Sequence, residues 1–324
     1  MTQAIRFHQA GAADVLSWED VNLAAPGPGE LRVRHTVIGV NYIDVYHRSG
    51  AYPLPLPSGI GVEAAGVVVA VGAGAEEFKI GDRVVYAGGP PGAYSEERLV
   101  PAARALKLPD SVSDEVAASL TFKGLTAEYL IRRCHAVKPG DTVVFHAAAG
   151  GVGSIACQWL KHLGATVIGT VSSDEKAAYV KSLGADHAVV LKHEDLVQRV
   201  KDITGGAGAS VVYDSIGKDT IAQSLQCLRA RGTLVSFGTA SGATPPIDLA
   251  ELGSRGSLFV TRASIAHYTA KRDELVAAAN ALFDAIAAGI VKPAKTTRYA
   301  LKDVHQAHRD LEGAKTSGSV VLVP

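Results

Sequence analysis

His146-Ala147-Ala148-Ala149-Gly150-Gly151-Val152-Gly153 decides the reading of this chain. Before it stands Asp141-Thr-Val-Val-Phe145, apolar and β-branched, which reads as a buried strand. After it, Val152 to Leu163 reads as a helix. A glycine-rich turn between a parallel strand and a helix gathers free backbone N–H groups and the positive end of the helix dipole at one point, where a pyrophosphate binds. Gly150 and Gly153 stand at the second and third glycines of the dinucleotide spacing G-x-G-x-x-G, and Ala148 takes the first. Gly150 lets the backbone approach the phosphates, and Gly153 lets the helix pack against the sheet. The spacing alone also fits an ordinary strand-to-helix turn. The flanking strand, the helix and a second strand decide for a dinucleotide site.

That second strand, Ala165-Thr-Val-Ile-Gly-Thr-Val171, follows the Leu163-Gly164 helix stop. In an NAD site a carboxylate about 20 residues beyond the glycines holds the adenosine ribose. Here the strand tip carries Ser172 and Ser173, with Lys176 one helical turn on and no acid at the tip. Two hydroxyls and an ammonium suit a 2′-phosphate, which a carboxylate would repel. The expected cofactor is therefore NADPH. Ser172 and Ser173 also read as caps of a helix from Asp174 to Leu183, and the two roles are compatible.

The pattern around this unit repeats. Strands are expected at 143–145, 167–171, 188–190, 211–213, 234–237 and 258–260, most of them separated by helices, which makes a doubly wound parallel sheet. A long alanine-rich helix, 271–288, is expected to close that domain. Residues 1–122 differ: short β stretches at 4–7, 15–18, 31–38, 67–71, 83–86 and 94–100, punctuated by glycines, suggest a partly closed β-rich lobe. Two helices, 113–122 and 125–135, join the lobes. The last apolar stretch, Ser319-Val-Val-Leu-Val323, has no partner nearby in sequence and is expected to return to the first lobe. The division is then 1–122 with 294–324 as the catalytic domain and 123–293 as the dinucleotide-binding domain, an α/β chain of two cores.

Composition narrows the function. The 324 residues carry 32 lysines and arginines against 32 aspartates and glutamates, a formal net charge of zero. That balance argues against a nucleic-acid or membrane-surface role. The three cysteines, Cys134, Cys157 and Cys227, fit no disulfide or metal spacing. They suit a reducing compartment, and the first residues have no apolar signal core, so a cytoplasmic enzyme is expected.

Several stretches together resemble one superfamily, the medium-chain dehydrogenases/reductases. They are Gly39-Val-Asn-Tyr-Ile-Asp-Val-Tyr46, Gly61-Val-Glu-Ala-Ala-Gly66, Gly81-Asp-Arg-Val84, Lys123-Gly-Leu-Thr126, the glycine turn, Val212-Tyr-Asp-Ser215 and Val235-Ser-Phe-Gly238. The chain is most similar to the zinc-free NADPH:quinone oxidoreductases, the group that includes zeta-crystallin. The resemblance implies a GroES-like catalytic domain and a Rossmann domain. It also bears on metal: zinc relatives carry a cysteine where Asn41 stands and a histidine where Val62 stands, so no metal ligand is assigned.

Without zinc the substrate must accept hydride readily, as quinones do. The resemblance implies that Asn41, Asp44 and Tyr46 line the nicotinamide side, with Tyr52 on the Pro53-Pro55-Pro57 loop as the substrate wall. Asn41 is suited to polarise a carbonyl and Tyr46 to donate a hydrogen bond or stack. Asp44 reads better as a structural anchor than as a general acid. Similarity also assigns Thr126, Tyr129, Gly151, Val152, Ser215, Phe237, Gly238 and Thr239 to the cofactor. Leu191 and Ala314 depart from relatives that have a tyrosine and an arginine there, both at the adenosine-phosphate end. The resemblance further implies a homodimer built on the edge strand Ser257-Leu-Phe-Val-Thr261. The competing readings are an enone or enoyl-thioester reductase, which needs a placed acid such as Tyr46 or Tyr52, and an RNA-binding role.

Overall fold

A computed structural model describes every residue except Ala294 and Ser317, and the expected boundary at 294 lies outside the described residues. The chain divides into two compact units. One holds Met1–Leu125, Thr269–Ala287 and Pro293–Pro324; the other holds Thr126–Tyr268 and Ala288–Lys292.

In the second unit, six strands among the described residues form one parallel sheet. Its order from edge to edge is His187–Val190, Thr166–Val171, Thr142–Phe145, Ala209–Asp214, Leu228–Ser236 and Phe259–Arg262. The chain starts at Thr142–Phe145, works to one edge, then returns and works to the other. The reversal falls between Thr142–Phe145 and Ala209–Asp214, where ligands bind in such sheets, beyond the carboxyl ends of the strands. Val143, Val144, Phe145, Val167, Ile168, Val211 and Val212 are almost wholly buried. Continuous apolar runs of this kind mark strands covered on both faces.

In the first unit, the strand Glu30–Val40 alternates buried and partly exposed residues over its first half, so one face of it meets the core. It pairs with Glu63–Val71 and with Glu97–Pro101. Its far end pairs with the last strand, Ser319–Val323, at Val320↔Val40, Val321↔Gly39 and Leu322↔Ile38. The chain's end is thereby brought beside Asn41. Leu31, Val33, Ile38, Tyr86, Tyr94, Val304 and Leu322 belong to one buried cluster, and each side chain of this size contributes about 1.5–3 kcal/mol by leaving water.

Three expectations change. A helix, Tyr42–Ser49, follows the long strand where none was expected. The two joining helices are one, Asp114–Glu128, running on into a π-helical turn, Tyr129–Cys134. Lys123-Gly124 reads as a break, but Gly124 lies inside the helix. A Cβ there would come within 2.4 Å of Leu282 Cδ2, so the glycine serves close packing. The helix it packs against, Arg272–Ala287, therefore groups with the first unit and does not close the second. Arg272 at its start donates to the carbonyls of Ala103 and Ala105 in the same unit.

Candidate active site

In the second unit the turn after Thr142–Phe145 is tight. Ala147 takes a left-handed conformation with φ 51°, and Ala148 N–H donates to Thr170 O at 3.0 Å. Gly150 caps the helix Gly151–His162 with extended backbone. A Cβ on Gly153 would lie 2.6 Å from Ala147 O and from Ala148 Cα, so only glycine fits as the helix leaves the turn. The amides of Gly151 and Val152 then lie in the helix's first turn, where N–H groups have no partner within the helix. At the tip of the neighbouring strand, Ser173 caps the helix Asp174–Ser182, its Oγ accepting Lys176 N–H at 3.3 Å. The Ser173 hydrogen remains available for donation. Ser172 is exposed and Lys176 half-buried beside it.

Across the reversal, Asp214 is fully buried and organises the next loop. Its Oδ1 accepts Ile216 N–H at 2.9 Å and Gly217 N–H at 3.0 Å, and Thr220 and Ser224 donate their hydroxyls to the same carboxylate. This fixes Ser215. Just beyond the following strand, Leu228–Ser236, Phe237 N–H donates to Asp214 O at 2.8 Å. A Cβ on Gly238 would lie 2.5 Å from Ser215 O, so the two loops touch. Gly150–Val152, Ser215, Phe237, Gly238 and Thr239 thus line the carboxyl ends of three adjacent strands. Arg262 supports the last of these by donating to Ser236 Oγ at 2.9 Å and Gly238 O at 2.8 Å. Thr126 lies buried in the helix before the π-helical turn. Tyr129, in that turn, stacks on Tyr268 at 4.6 Å between centroids and 10° between planes.

In the first unit the helix Tyr42–Ser49 starts on a capping arrangement. Asn41 is the N-cap, and Asp44 Oδ2 accepts Asn41 N–H at 2.9 Å. The spacing Asn41-x-x-Asp44 was the signal for this helix. Asn41 spends one of its amide hydrogens on Glu63 Oε2 at 2.8 Å. Glu63 is wholly buried; its Oε1 accepts Phe122 N–H at 2.6 Å, and Lys123 Nζ stands 3.8 Å from its Oε2. Lys123 also donates to Val40 O at 3.2 Å. Burial pushes the Glu63 carboxyl up and the Lys123 ammonium down, and each charge opposes the shift of the other. Burial raises Asp44 to about 7, against the hydrogen bonds from Asn41 and Tyr94.

Tyr46 and Tyr52 lie with ring centroids 4.9 Å apart, joined by Tyr52 N–H to Tyr46 O at 3.0 Å, and Tyr42 sits edge-on to Tyr46 at 5.2 Å. The structure thus brings Asn41 and Asp44 together at a helix start and pairs Tyr46 with Tyr52. Glu63, Lys123 and Tyr94 join the Asn41–Asp44 cluster although the sequence reading gave them no role. The signal for Glu63 and Lys123 was a lone carboxylate in Gly61-Val-Glu-Ala-Ala-Gly66 and a lone ammonium in Leu120-Thr-Phe-Lys-Gly-Leu125, charges with no reason to be there unless paired.

Residues 27–110 match the alcohol dehydrogenase GroES-like domain, and residues 151–282 match the zinc-binding dehydrogenase family. A quinone oxidoreductase of Salmonella typhimurium is 50% identical over 100% of both chains. This chain belongs to the quinone oxidoreductase family. It is an oxidoreductase with the medium-chain fold, a GroES-like domain and a Rossmann domain. The Escherichia coli quinone oxidoreductase solved as a complex with NADPH superposes with a TM-score of 0.97 at 48% identity, covering 99% of this chain and 100% of that one. A 2-haloacrylate reductase of a Burkholderia species is 47% identical over 100% of this chain and 99% of its own.

The second family name implies zinc, so the donors present need testing against it. Val62 is apolar and buried, and the Asn41 amide is already hydrogen-bonded to Glu63. Neither offers the thiolate or imidazole that such a site uses, and no group of three or more metal-ligating side chains occurs among the described residues. The zinc site of the family does not fit here.

Proposed function

We propose that this protein reduces quinones with hydride from NADPH and does so without zinc. The observation that carries the reading is the pair of residues at 41 and 62. An alcohol loses hydride once a Lewis acid or a general base takes its hydroxyl proton, and a valine with a committed amide supplies neither. The substrate must then accept hydride unaided, as a quinone does. Bound NADPH supplies that hydride from its reduced nicotinamide. The residues do the rest: the turn at 147–153 receives the pyrophosphate, Ser172, Ser173 and Lys176 receive the 2′-phosphate, and Ser215 with Phe237–Thr239 follow the cofactor. Thr126 and Tyr129 are assigned to it as well. Tyr46 and Tyr52 present aromatic faces to a flat substrate, and Asn41 keeps one amide hydrogen for its carbonyl.

A second reading, reduction of an activated carbon–carbon double bond, is favoured by the similarity to 2-haloacrylate reductase. A panel of quinones, 2-haloacrylates, enones and alcohols assayed with NADPH and NADH separates the two. Turnover of quinones with NADPH is expected. Turnover of alcohols, lost on chelation and restored by zinc, refutes the reading.

The finer reading includes a homodimer. The strand Phe259–Arg262 pairs on one side only within its sheet, and Phe259 is 62% and Val260 37% exposed. An apolar open edge of this kind invites pairing with a second copy. No helix among the described residues is long and apolar enough to cross a membrane, and a cytoplasmic location is part of the same reading. The charge balance speaks against nucleic acid as a partner.

A further inference from the structure

The parallel sheet of the second unit carries a buried polar chain across three adjacent strand ends. His146 is the first residue past Thr142–Phe145, and its N–H donates to Tyr213 O at 3.0 Å. Its ring is held from both sides. Nδ1 lies 3.0 Å from Thr170 Oγ1, on the neighbouring strand Thr166–Val171. Nε2 lies 3.0 Å from Ser224 Oγ, and Ser224 donates to Asp214 Oδ2 at 2.7 Å. Thr170, His146, Ser224 and Asp214 are each 1% exposed or less.

The hydrogens follow from the donors present. A carboxylate oxygen only accepts, so at 2.7 Å the Ser224 hydrogen is spent on Asp214, beside those of Ile216 N–H, Gly217 N–H and Thr220 Oγ1. Ser224 Oγ then accepts from the imidazole, which places a hydrogen on Nε2. Burial lowers His146 below its ordinary value, with Asp214 opposing, and a neutral ring leaves Nδ1 to accept the Thr170 hydroxyl. Each hydrogen of the chain has an acceptor.

This chain joins the segments that the functional reading gives to the dinucleotide. Residue 146 leads directly into the turn at 147–153. Thr170 O accepts Ala148 N–H at 3.0 Å, and Thr170 stands two residues before Ser172. Asp214 fixes residues 215–217 through the two amides on its Oδ1. The chain thus spans the reversal of strand order between Thr142–Phe145 and Ala209–Asp214. An apolar side chain at 146 would fill the same core without the cost of burying polar groups. A rigid ring bonded at both nitrogens does something else: it sets distances, and a buried network satisfied throughout specifies one arrangement. We propose that His146 is a positioning residue for the cofactor, its ring fixing the pyrophosphate turn against Thr170 on one side and the Asp214 loop on the other. This rests on the reading that places NADPH at that turn.

The test reads binding and not turnover, by titrating each reduced cofactor and following its fluorescence. His146→Leu removes both ring bonds and leaves the Thr170 hydroxyl buried without its acceptor, so melting temperature falls. Adding Thr170→Val removes that orphan; replacing both partners by apolar groups of like shape is close to neutral, and melting is expected to return close to wild type. The dissociation constants are expected to stay raised in the double variant, by about tenfold, and equally for NADPH and NADH, because the turn and the Asp214 loop serve the part the two cofactors share. Affinity that recovers together with melting temperature means that His146 only packs, and overturns the proposal. A loss confined to NADPH would put the effect at the 2′-phosphate and overturns it too. Hydrogen exchange of wild type with and without NADPH tests the reading beneath: the amides of 148–153 and 215–217 are expected to slow. No slowing there overturns the cofactor placement and the proposal with it. Slowing there, with affinity unmoved in the double variant, overturns the proposal alone.

Discussion

Replacing Lys123 by methionine keeps the buried stem and removes the charge. What it leaves behind is Glu63, wholly buried with its nearest cation gone. Breaking a buried pair by removing one partner costs about 3–5 kcal/mol, because the remaining charge is uncompensated. Glu63 keeps hydrogen bonds from Phe122 N–H at 2.6 Å and Asn41 Nδ2 at 2.8 Å, which hold part of that charge, so the lower end, about 3 kcal/mol, applies. At roughly 2–4 °C per kcal/mol for a unit of this size, melting falls by about 6–12 °C. The loss depends on pH with a definite sign. Burial raises the Glu63 carboxyl, and Lys123 is the largest influence opposing that rise. Without Lys123 the carboxyl rises further. A carboxyl raised in the folded state keeps its full stability below its unfolded value and loses it as pH rises through the folded value. Calorimetry or urea unfolding should therefore find Lys123→Met close to wild type near pH 5 and most destabilised near pH 8. Glu63→Gln combined with Lys123→Met should recover most of the loss. An equal deficit at both pH values would mean that Lys123 acts only through packing, and the reasoning fails.

Lys176→Ala removes one charge-assisted bond, about 1.5–3 kcal/mol, and should raise KM for NADPH roughly ten- to a hundredfold while NADH and turnover change little. Ser172→Asp should go further by repelling the phosphate; equal losses with both cofactors would reduce these residues to helix caps. Val260→Lys on the open edge strand should give a monomer by light scattering at micromolar concentration with the fold retained, whereas a wild-type monomer would remove the dimer reading.

The second unit was legible because its signals are local. Buried parallel strands are short apolar runs, and the turn at 147–153 announces itself by glycines that the structure needs for close approach. The first unit was harder for physical reasons. Its pairings are distant: the last strand joins Glu30–Val40 from the far end of the chain, and no periodicity carries that register. Gly124 looked like a helix break because a glycine that stops a helix and one that admits Leu282 are the same letter. Helix Tyr42–Ser49 is hidden when Asn41 is read as a substrate contact and Asp44 as a hydrogen-bond anchor, since their spacing is also a capping box. Tyr94 and His308 gave no signal, since they meet only once strand and C-terminal helix are packed.

These last residues bear on how a zinc-free site is selective. Asn41 caps a helix and holds Glu63; Asp44 returns the cap and receives Tyr94; Glu63 is held by Phe122 and faced by Lys123. Most polar atoms around Asn41 are committed to one another, and a buried polar network is favourable only when its members are satisfied in this way. Few groups remain to read a substrate's polar pattern. What remains is one Asn41 hydrogen and the adjoining rings of Tyr46 and Tyr52. Such a surface recognises a flat, electron-poor molecule by stacking and by the one oxygen that gains charge. Differences of a methylene elsewhere are worth only about 1–3 kcal/mol against apolar walls. On that argument the substrate panel reads how finely so few groups discriminate, since relatives of nearly equal identity to this chain bear two names, quinone oxidoreductase and 2-haloacrylate reductase.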